Sequence, residues 1–342
     1  MERFEQQINQ EVIDKFQDLR GLDLSEKDLS SNSIEALKEA DFDTATIWPE
    51  QDRLPDGFSP EKTIEDGKNP GLGIRELHEH GIDGRGVKVA IIDQSLSAEN
   101  GELMPHSEYA QNIVDYKEYG NVRNEEMSMH GPAVASLLVG KECGVAPGAE
   151  LVYKATPSGR DFNYKADALL DIIKANENLP IEERVRVISC SIGYWEDKSE
   201  PGQERWIEAI KKAEEGGIMF VDTISRNGFD FIGGGASNDK EDIDDYNRAL
   251  FLSETEKSNE IIIPSDYRTM ASNKGDGEYV YNGKGGMSWA VPYSAGLFAL
   301  ALQVNPDITK EEIADAMNET VSANKKGLKI VDPKAFIDAV RK

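Results

Sequence analysis

Several things are scarce in this 342-residue chain, and each scarcity excludes something. There are two cysteines, Cys143 and Cys190. A disulfide framework is therefore excluded, and both thiols are expected to be buried beside small and β-branched neighbours. No segment approaches the roughly 18 uninterrupted apolar residues of a membrane span. The first residues, MERFEQQINQEVIDKF, lack the apolar core of a secretion signal, so a cytoplasmic location is the expectation. Positive charge is in deficit: the net charge is −26. That argues against nucleic acid and against anionic membrane surfaces as partners. Histidine is rare: His78, His80, His106 and His130 are the full set, and none lies after residue 130.

Charge divides the chain. Residues 1–70 hold 18 Asp/Glu against 8 Lys/Arg, with Pro49, Pro55, Pro60 and Pro70 punctuating the second half. Phe4, Ile8, Val12 and Phe16 recur every four residues, and Ile34-Glu35-Ala36-Leu37 opens another helix-like piece. Ser25, Ser31 and Ser33 read as caps or turn residues. This stretch is expected to be a helical and loop-rich extension packed on a main domain of residues 71–342. No internal repeat is evident.

From residue 71 the rhythm becomes α/β. A helix is predicted at Gly71–His80, then strands at Val87–Ile92, Glu150–Lys154, Val185–Cys190 and Ile218–Asp222, with helices at Lys165–Asn176 and Glu204–Glu215. Strands that are apolar throughout belong to sheets covered on both faces. Their alternation with helices predicts a doubly wound, mostly parallel sheet flanked by helices.

The histidines then restrict the chemistry. Ser189-Cys190-Ser191-Ile192-Gly193 has the look of a serine elbow, but an α/β-hydrolase triad needs a histidine after its serine, and none follows. A triad in the order Asp, His, Ser remains open. Asp93 follows the first apolar strand, at the edge where open α/β sheets bind ligands. His130 opens the small and apolar run Gly131–Leu138, and Ser288 opens another, Ala290–Leu302. Taken singly, Asp93 also fits an Asx turn, His130 a satisfied helix-end residue, and Ser288 an N-cap. Together and in this order they fit three side chains held rigidly in one cleft.

These residues resemble the subtilisin-like serine peptidases, over about residues 72–342. Gly84-Arg85-Gly86-Val87-Lys88-Val89-Ala90-Ile91-Ile92-Asp93 resembles the family's first-strand motif. His130-Gly131-Pro132-Ala133-Val134-Ala135 resembles its histidine motif, and Gly144-Val145-Ala146-Pro147-Gly148-Ala149 its next turn. Ile188–Gly193 resembles the strand that pairs with substrate backbone. Ile263-Pro264 with Gly286-Met287-Ser288-Trp289-Ala290-Val291-Pro292 resembles the serine block. Val304-Asn305-Pro306 and the capping box Thr309-Lys310-Glu311-Glu312 are similar to the C-terminal helices.

The resemblance implies a serine endopeptidase acting on peptides or proteins, with no required cofactor. Ser288 would be the nucleophile, His130 the general base and Asp93 its orienting acid. Ser191, Ile192, Gly193 and Gly286 would meet the substrate backbone. Asn227 would supply the oxyanion amide, although an ungapped alignment puts Arg226 there. Losing such a donor costs about 10²–10³ in turnover, a magnitude known for subtilisin itself. The sequence also departs from the family. Gln94-Ser95 follows the aspartate, Pro132-Ala133 follows His130-Gly131, and Met287 and Trp289 flank the serine. The alternative these departures raise is a weak or inactive member kept as a binding module. The family's apolar strand between Asn227 and Pro264 is replaced by Gly233-Gly234-Gly235 and an acidic run, Asn238–Asp245, expected as a solvated loop or a calcium site.

Overall fold

A computed structural model describes residues 12–96, 103, 106–122, 128–195, 199–224, 226–229, 232–252 and 260–342. In chain order the strands are β1 (Phe42–Asp43), β2 (Lys88–Asp93), β3 (Ile113–Glu118), β4 (Glu150–Ala155), β5 (Val185–Cys190), β6 (Met219–Asp222), β7 (Ile232–Ala236), β8 (Asn247–Arg248), β9 (Ile261–Pro264), β10 (Arg268–Ala271), β11 (Tyr279–Asn282), β12 (Ser322–Ala323) and β13 (Lys329–Ile330). The helices are α1 (Ile34–Glu39), α2 (Pro60–Lys68), α3 (Ile74–Glu79), α4 (His130–Val139), α5 (Phe162–Asn176), α6 (Gln203–Glu215), α7 (Met287–Val304), α8 (Lys310–Glu319) and α9 (Pro333–Val340).

The central sheet is five-stranded and wholly parallel, in the order β3-β4-β2-β5-β6. Its faces explain the apolar run Val89–Ile92 of β2. Val89 and Ile91 point into a core with α4 and α7, while Ala90 and Ile92 point into a second core with Phe162 of α5, Trp206 of α6 and Phe220. The strand order reverses between β2 and β5, so their C-terminal ends open one crevice, the usual ligand position in such sheets. A second sheet runs β12-β13-β9-β7-β8.

Helix α7 is long and apolar enough to cross a membrane, but 78% of it is buried inside this fold as a core helix. Gly296 lets it approach its neighbour: an added Cβ would stand 2.5 Å from Val145.

Several expectations need correction. The glycine stretch expected to stand in place of a strand is itself a strand, β7. The Gly233–Gly235 triplet pairs in parallel with Ile262–Pro264 of β9, because bare backbone fits where Cβ atoms would strike Glu260, Phe251 and Ile262. Helix α3 starts at Ile74, since Gly71, Leu72 and Gly73 take positive φ. Helix α5 starts at Phe162 because Asp161 caps it.

The extension is less helical than expected. Of the Phe4/Ile8/Val12/Phe16 set, residues 1–11 lie outside the described residues. Val12 and Phe16 are exposed, and Phe16 has φ 64°, so no helix runs there. Of the serines, Ser33 caps a helix, α1.

A repeat is also present after all. Asp18-Leu19, Asp23-Leu24 and Asp28-Leu29 recur every five residues. Each aspartate accepts the backbone N–H two residues on, at 3.0–3.1 Å. Each leucine is buried and donates its N–H to the carbonyl of Asp41, Ile47 or Arg53. This wrap shares an apolar core with Ala236, Tyr267 and Tyr281 of the main domain. It also adds β1 to a three-stranded antiparallel sheet, β1-β11-β10.

In the acidic run, Asp245 accepts the Asn238 and Asp239 N–H groups and the Ser237 hydroxyl. Asp239 and Asp242 cap backbone N–H groups of their own turns, and Lys325 pairs with Asp244. Among the described residues no group of three or more His, Cys, Asp or Glu is arranged to hold a metal ion.

Candidate active site

Asp93 is the last residue of β2, so parallel pairing on both sides fixes its backbone before its side chain does anything. It is buried, and its Oδ1 accepts from the Gln94 N–H at 2.8 Å. The same oxygen lies 2.7 Å from His130 Nδ1. A carboxylate can only accept, so Nδ1 carries the proton and Nε2 presents its lone pair. Burial alone would lower the imidazole pKa, but the Asp93 charge and hydrogen bond outweigh it and raise the pKa above 6.5.

His130 is the first residue of α4, and its own N–H donates to the Ser128 hydroxyl at 3.0 Å. Pro132 is tolerated in this first turn, where its missing N–H has no helical partner to lose. Gly131 is required by packing, since a Cβ there would meet the Gln94 carbonyl at 2.6 Å.

Ser288 sits in the first turn of α7, whose N-cap is Gly286 with no side-chain cap. The serine is therefore not an N-cap, and the helix dipole places partial positive charge around it. Ser191, just past β5, donates its hydroxyl to the Ser288 carbonyl at 2.9 Å, tying the helix to the sheet crevice. Trp289 packs its ring on His130, with centroids 5.3 Å apart and planes at 37°. The structure thus brings Asp93, His130, Ser191 and the Ser288 turn into one crevice. Among the described residues the Ser288 hydroxyl makes no hydrogen bond. Such bonds are often loose until substrate arrives.

The two glycines before the serine differ. Gly285 has φ 40°, and a Cβ there would stand 2.2 Å from the Ser265 carbonyl, so it serves packing. Gly286 is extended, with nothing closer than 4.0 Å to a Cβ. Of the pair, Gly286 has open space where a Cβ would stand.

Asn227 adopts φ 45°, a left-handed conformation that asparagine tolerates. Its amide nitrogen donates to Asp222 at 3.1 Å. Asp222 ends β6, is fully buried and also accepts the Ile224 N–H. One amide hydrogen of Asn227 is thus engaged. The Arg226 side chain lies outside the described residues.

The expected pairing edge is also partly engaged. Gly193 is pressed against Ile224, and its carbonyl accepts from Arg160 at 3.0 Å. Arg160 in turn pairs with Glu200. Ile192 borders the α5–α6 core and lines a cleft of about 90 Å³ with Asp93, Gln94, His130, Thr156, Pro157, Ser158, Lys165 and Ser191. Lys165 folds the near wall of that cleft by donating to the Pro157 and Gly159 carbonyls.

Asp222, Arg160 and Lys165 are not found by sequence reasoning because each acts through a loop that closes in space. A buried acid ending a strand is the one available signal, and Asp222 carries it as Asp93 does. Cys190 lies beneath the crevice, but burial pushes its thiol pKa far up, which leaves it inert.

Comparison with known proteins follows the same outline. The subtilase family model matches residues 84–228, a span holding Asp93, His130, Ser191–Gly193 and Asn227 and ending before Ser288. The intracellular serine protease of Paenibacillus polymyxa is 28% identical over 247 residues, 67% of this chain and 72% of that one. Kexin of Saccharomyces cerevisiae is 24% identical over 276 residues, 71% of this chain and 32% of kexin. Among solved structures, the prenylagaramide maturation protease PagA matches with a TM-score of 0.54 at 17% identity, over 78% of this chain and 98% of that one. MycP1 with its N-terminal propeptide removed matches with a TM-score of 0.52 at 17% identity, over 78% and 94%. At that identity the two structures speak to the fold.

Proposed function

We propose that the chain is a serine protease of the subtilase family, whose model matches residues 84–228, and an endopeptidase working through Asp93, His130 and Ser288. The observation that carries this reading is the 2.7 Å bond from His130 Nδ1 to Asp93, which leaves Nε2 free as a base beside the turn bearing Ser288.

Ser288 Oγ attacks the peptide carbonyl while His130 Nε2 takes its proton. The tetrahedral oxyanion is held by the Ser288 backbone N–H at the start of α7 and by the second amide hydrogen of Asn227. Collapse expels the amine, which takes the proton from His130, and water then releases the acyl group by the same steps in reverse order. Asp93 keeps the imidazole in its reactive tautomer throughout. A substrate strand lies along Ser191–Gly193 and over Gly286, displacing Arg160 from the Gly193 carbonyl as it enters.

The substrate class is peptide or protein. An intracellular location accords with the name of the Paenibacillus relative and with two buried free thiols.

A fluorophosphonate probe tests the assignment. Wild type should label at one site, and Ser288→Ala should abolish labelling while its thermal melt stays native. A wild type that stays unlabelled between about pH 6 and 9 would replace this reading with that of a binding module.

A further inference from the structure

We infer that the N-terminal segment is a working part of the active site: Asp41, acting through Asn282 and Trp289, positions the imidazole of His130. Asp41 lies outside the region matched to the family, and by sequence it belongs to the acidic extension. The wrap holds its backbone at both polar atoms. Its N–H donates to the Gln17 carbonyl at 2.9 Å, and its carbonyl accepts from the Leu19 N–H at 2.7 Å.

The side chain faces away from the wrap, toward the end of β11. Asp41 Oδ1 accepts the Gly283 N–H at 2.9 Å, which pins the peptide joining Asn282 to Gly283. Asn282 is the last residue of β11. Its Oδ1 accepts the indole N–H of Trp289 at 2.8 Å. Asp41 thus holds the backbone next to Asn282, from which the Asn282 side chain reaches the indole.

Trp289 follows Ser288 directly and covers the face of the His130 ring. Asp93 holds one edge of that ring and the indole holds its face. Two constraints, one from each side of the crevice, fix an imidazole that would otherwise rotate about its side-chain bonds. A tryptophan has two side-chain torsions, and the N–H bond to Asn282 removes the freedom to swing off the histidine. Two further contacts seat the segment on the same loop. The Tyr281 hydroxyl donates to the Lys38 carbonyl at 2.8 Å. A Cβ on Gly283 would stand 2.5 Å from the Glu39 backbone, so the extension lies flush against the turn that leads to Ser288.

Asp41 is a positioning residue, and its effect on turnover rests on the triad reading above. The test therefore has one readout that needs no activity. In full-length protein with labelled histidine, the His130 Hε1 resonance reports stacking against the indole. Asp41→Ala, Asn282→Ala and Trp289→Phe should each move it, while the His78 and His80 resonances stay in place as a check on folding.

The second readout is the fluorophosphonate labelling rate. Each single variant should slow it by about threefold to thirtyfold. Asp41→Ala combined with Trp289→Phe should be no slower than the slower single variant. An unmoved His130 resonance in folded Asp41→Ala, or fully additive rate losses, would overturn the relay. If Asp41→Ala fails to fold, Asn282→Ala and Trp289→Phe read the same relay from its far end. If wild type does not label at all, the triad reading fails, and the resonance still decides the relay.

Discussion

His130 is where burial and charge meet in opposition. Burial disfavours the imidazolium, and Asp93 favours it by more, so the pKa lies above the ordinary 6.5. The sign for catalysis follows directly. In the proposed mechanism His130 must be neutral to act as base, so activity falls as pH drops through the raised pKa, and the acid limb of kcat/KM should lie above pH 6.5. Asp93→Asn leaves burial unopposed. It should shift the limb to lower pH and cut the plateau by about 10⁴-fold, the loss known for this change in Ser-His-Asp triads generally. A pH–rate profile of the two proteins checks both parts. An acid limb that stays put in the variant would show that Asp93 does not set the imidazole pKa.

The acid and the histidine are legible in the amino-acid sequence because both sit at boundaries of strongly patterned elements. Trp289 is legible there as an anomaly and not as a partner. Its target, His130, is more than 150 positions away, and only packing brings the rings together.

Among the elements, the turn joining β11 to α7 carries most of the demand. Gly285 has left-handed φ and presses on the Ser265 carbonyl, whereas Gly286 is extended and open. Gly285→Ala should therefore cost ~2–4 kcal/mol of stability, from strain plus a backbone clash that nothing flexible can relieve. Gly286→Ala should stay within ~0.5 kcal/mol of wild type and instead raise KM, since its methyl would occupy the space left for substrate. Urea titrations and steady-state kinetics on the pair separate the two roles. Equal stability losses would show that both glycines serve packing.

The strands legible from local pattern are those buried on two faces, where most residues are apolar. Strand β7 escapes because its glycines carry no hydrophobic signal; its neighbours, and not its own side chains, make it a strand. The Asp-Leu wrap escapes for a related reason. A period of five matches neither helix nor strand, and each turn is completed by residues 41–53.

For the whole molecule, the extension is continuous with the packing of the main domain. Its leucines share one core with Ala236, Tyr267 and Tyr281, and its strand β1 covers the edge of β11. A chain beginning at residue 71 would expose that apolar face and that strand edge together. It should be insoluble or lack a cooperative unfolding transition, while the intact chain unfolds in a single step by calorimetry. A soluble, cooperatively folded truncation would refute the shared core.

The sequence by itself determined the parallel sheet and the core helices, and placed Asp93, His130 and Ser288 at element boundaries. These follow from local patterning: apolar runs set strands and helices, and the four histidines leave one order open. The tertiary structure alone decided what the extension packs against, which glycine of the serine turn has open space, and where the Asn227 amide points. Each of those depends on contacts between residues far apart in the chain, such as Asp41 with Gly283 or Gly285 with Ser265. Such contacts form when the sheet and its helices have already set the distances, and no local pattern records them.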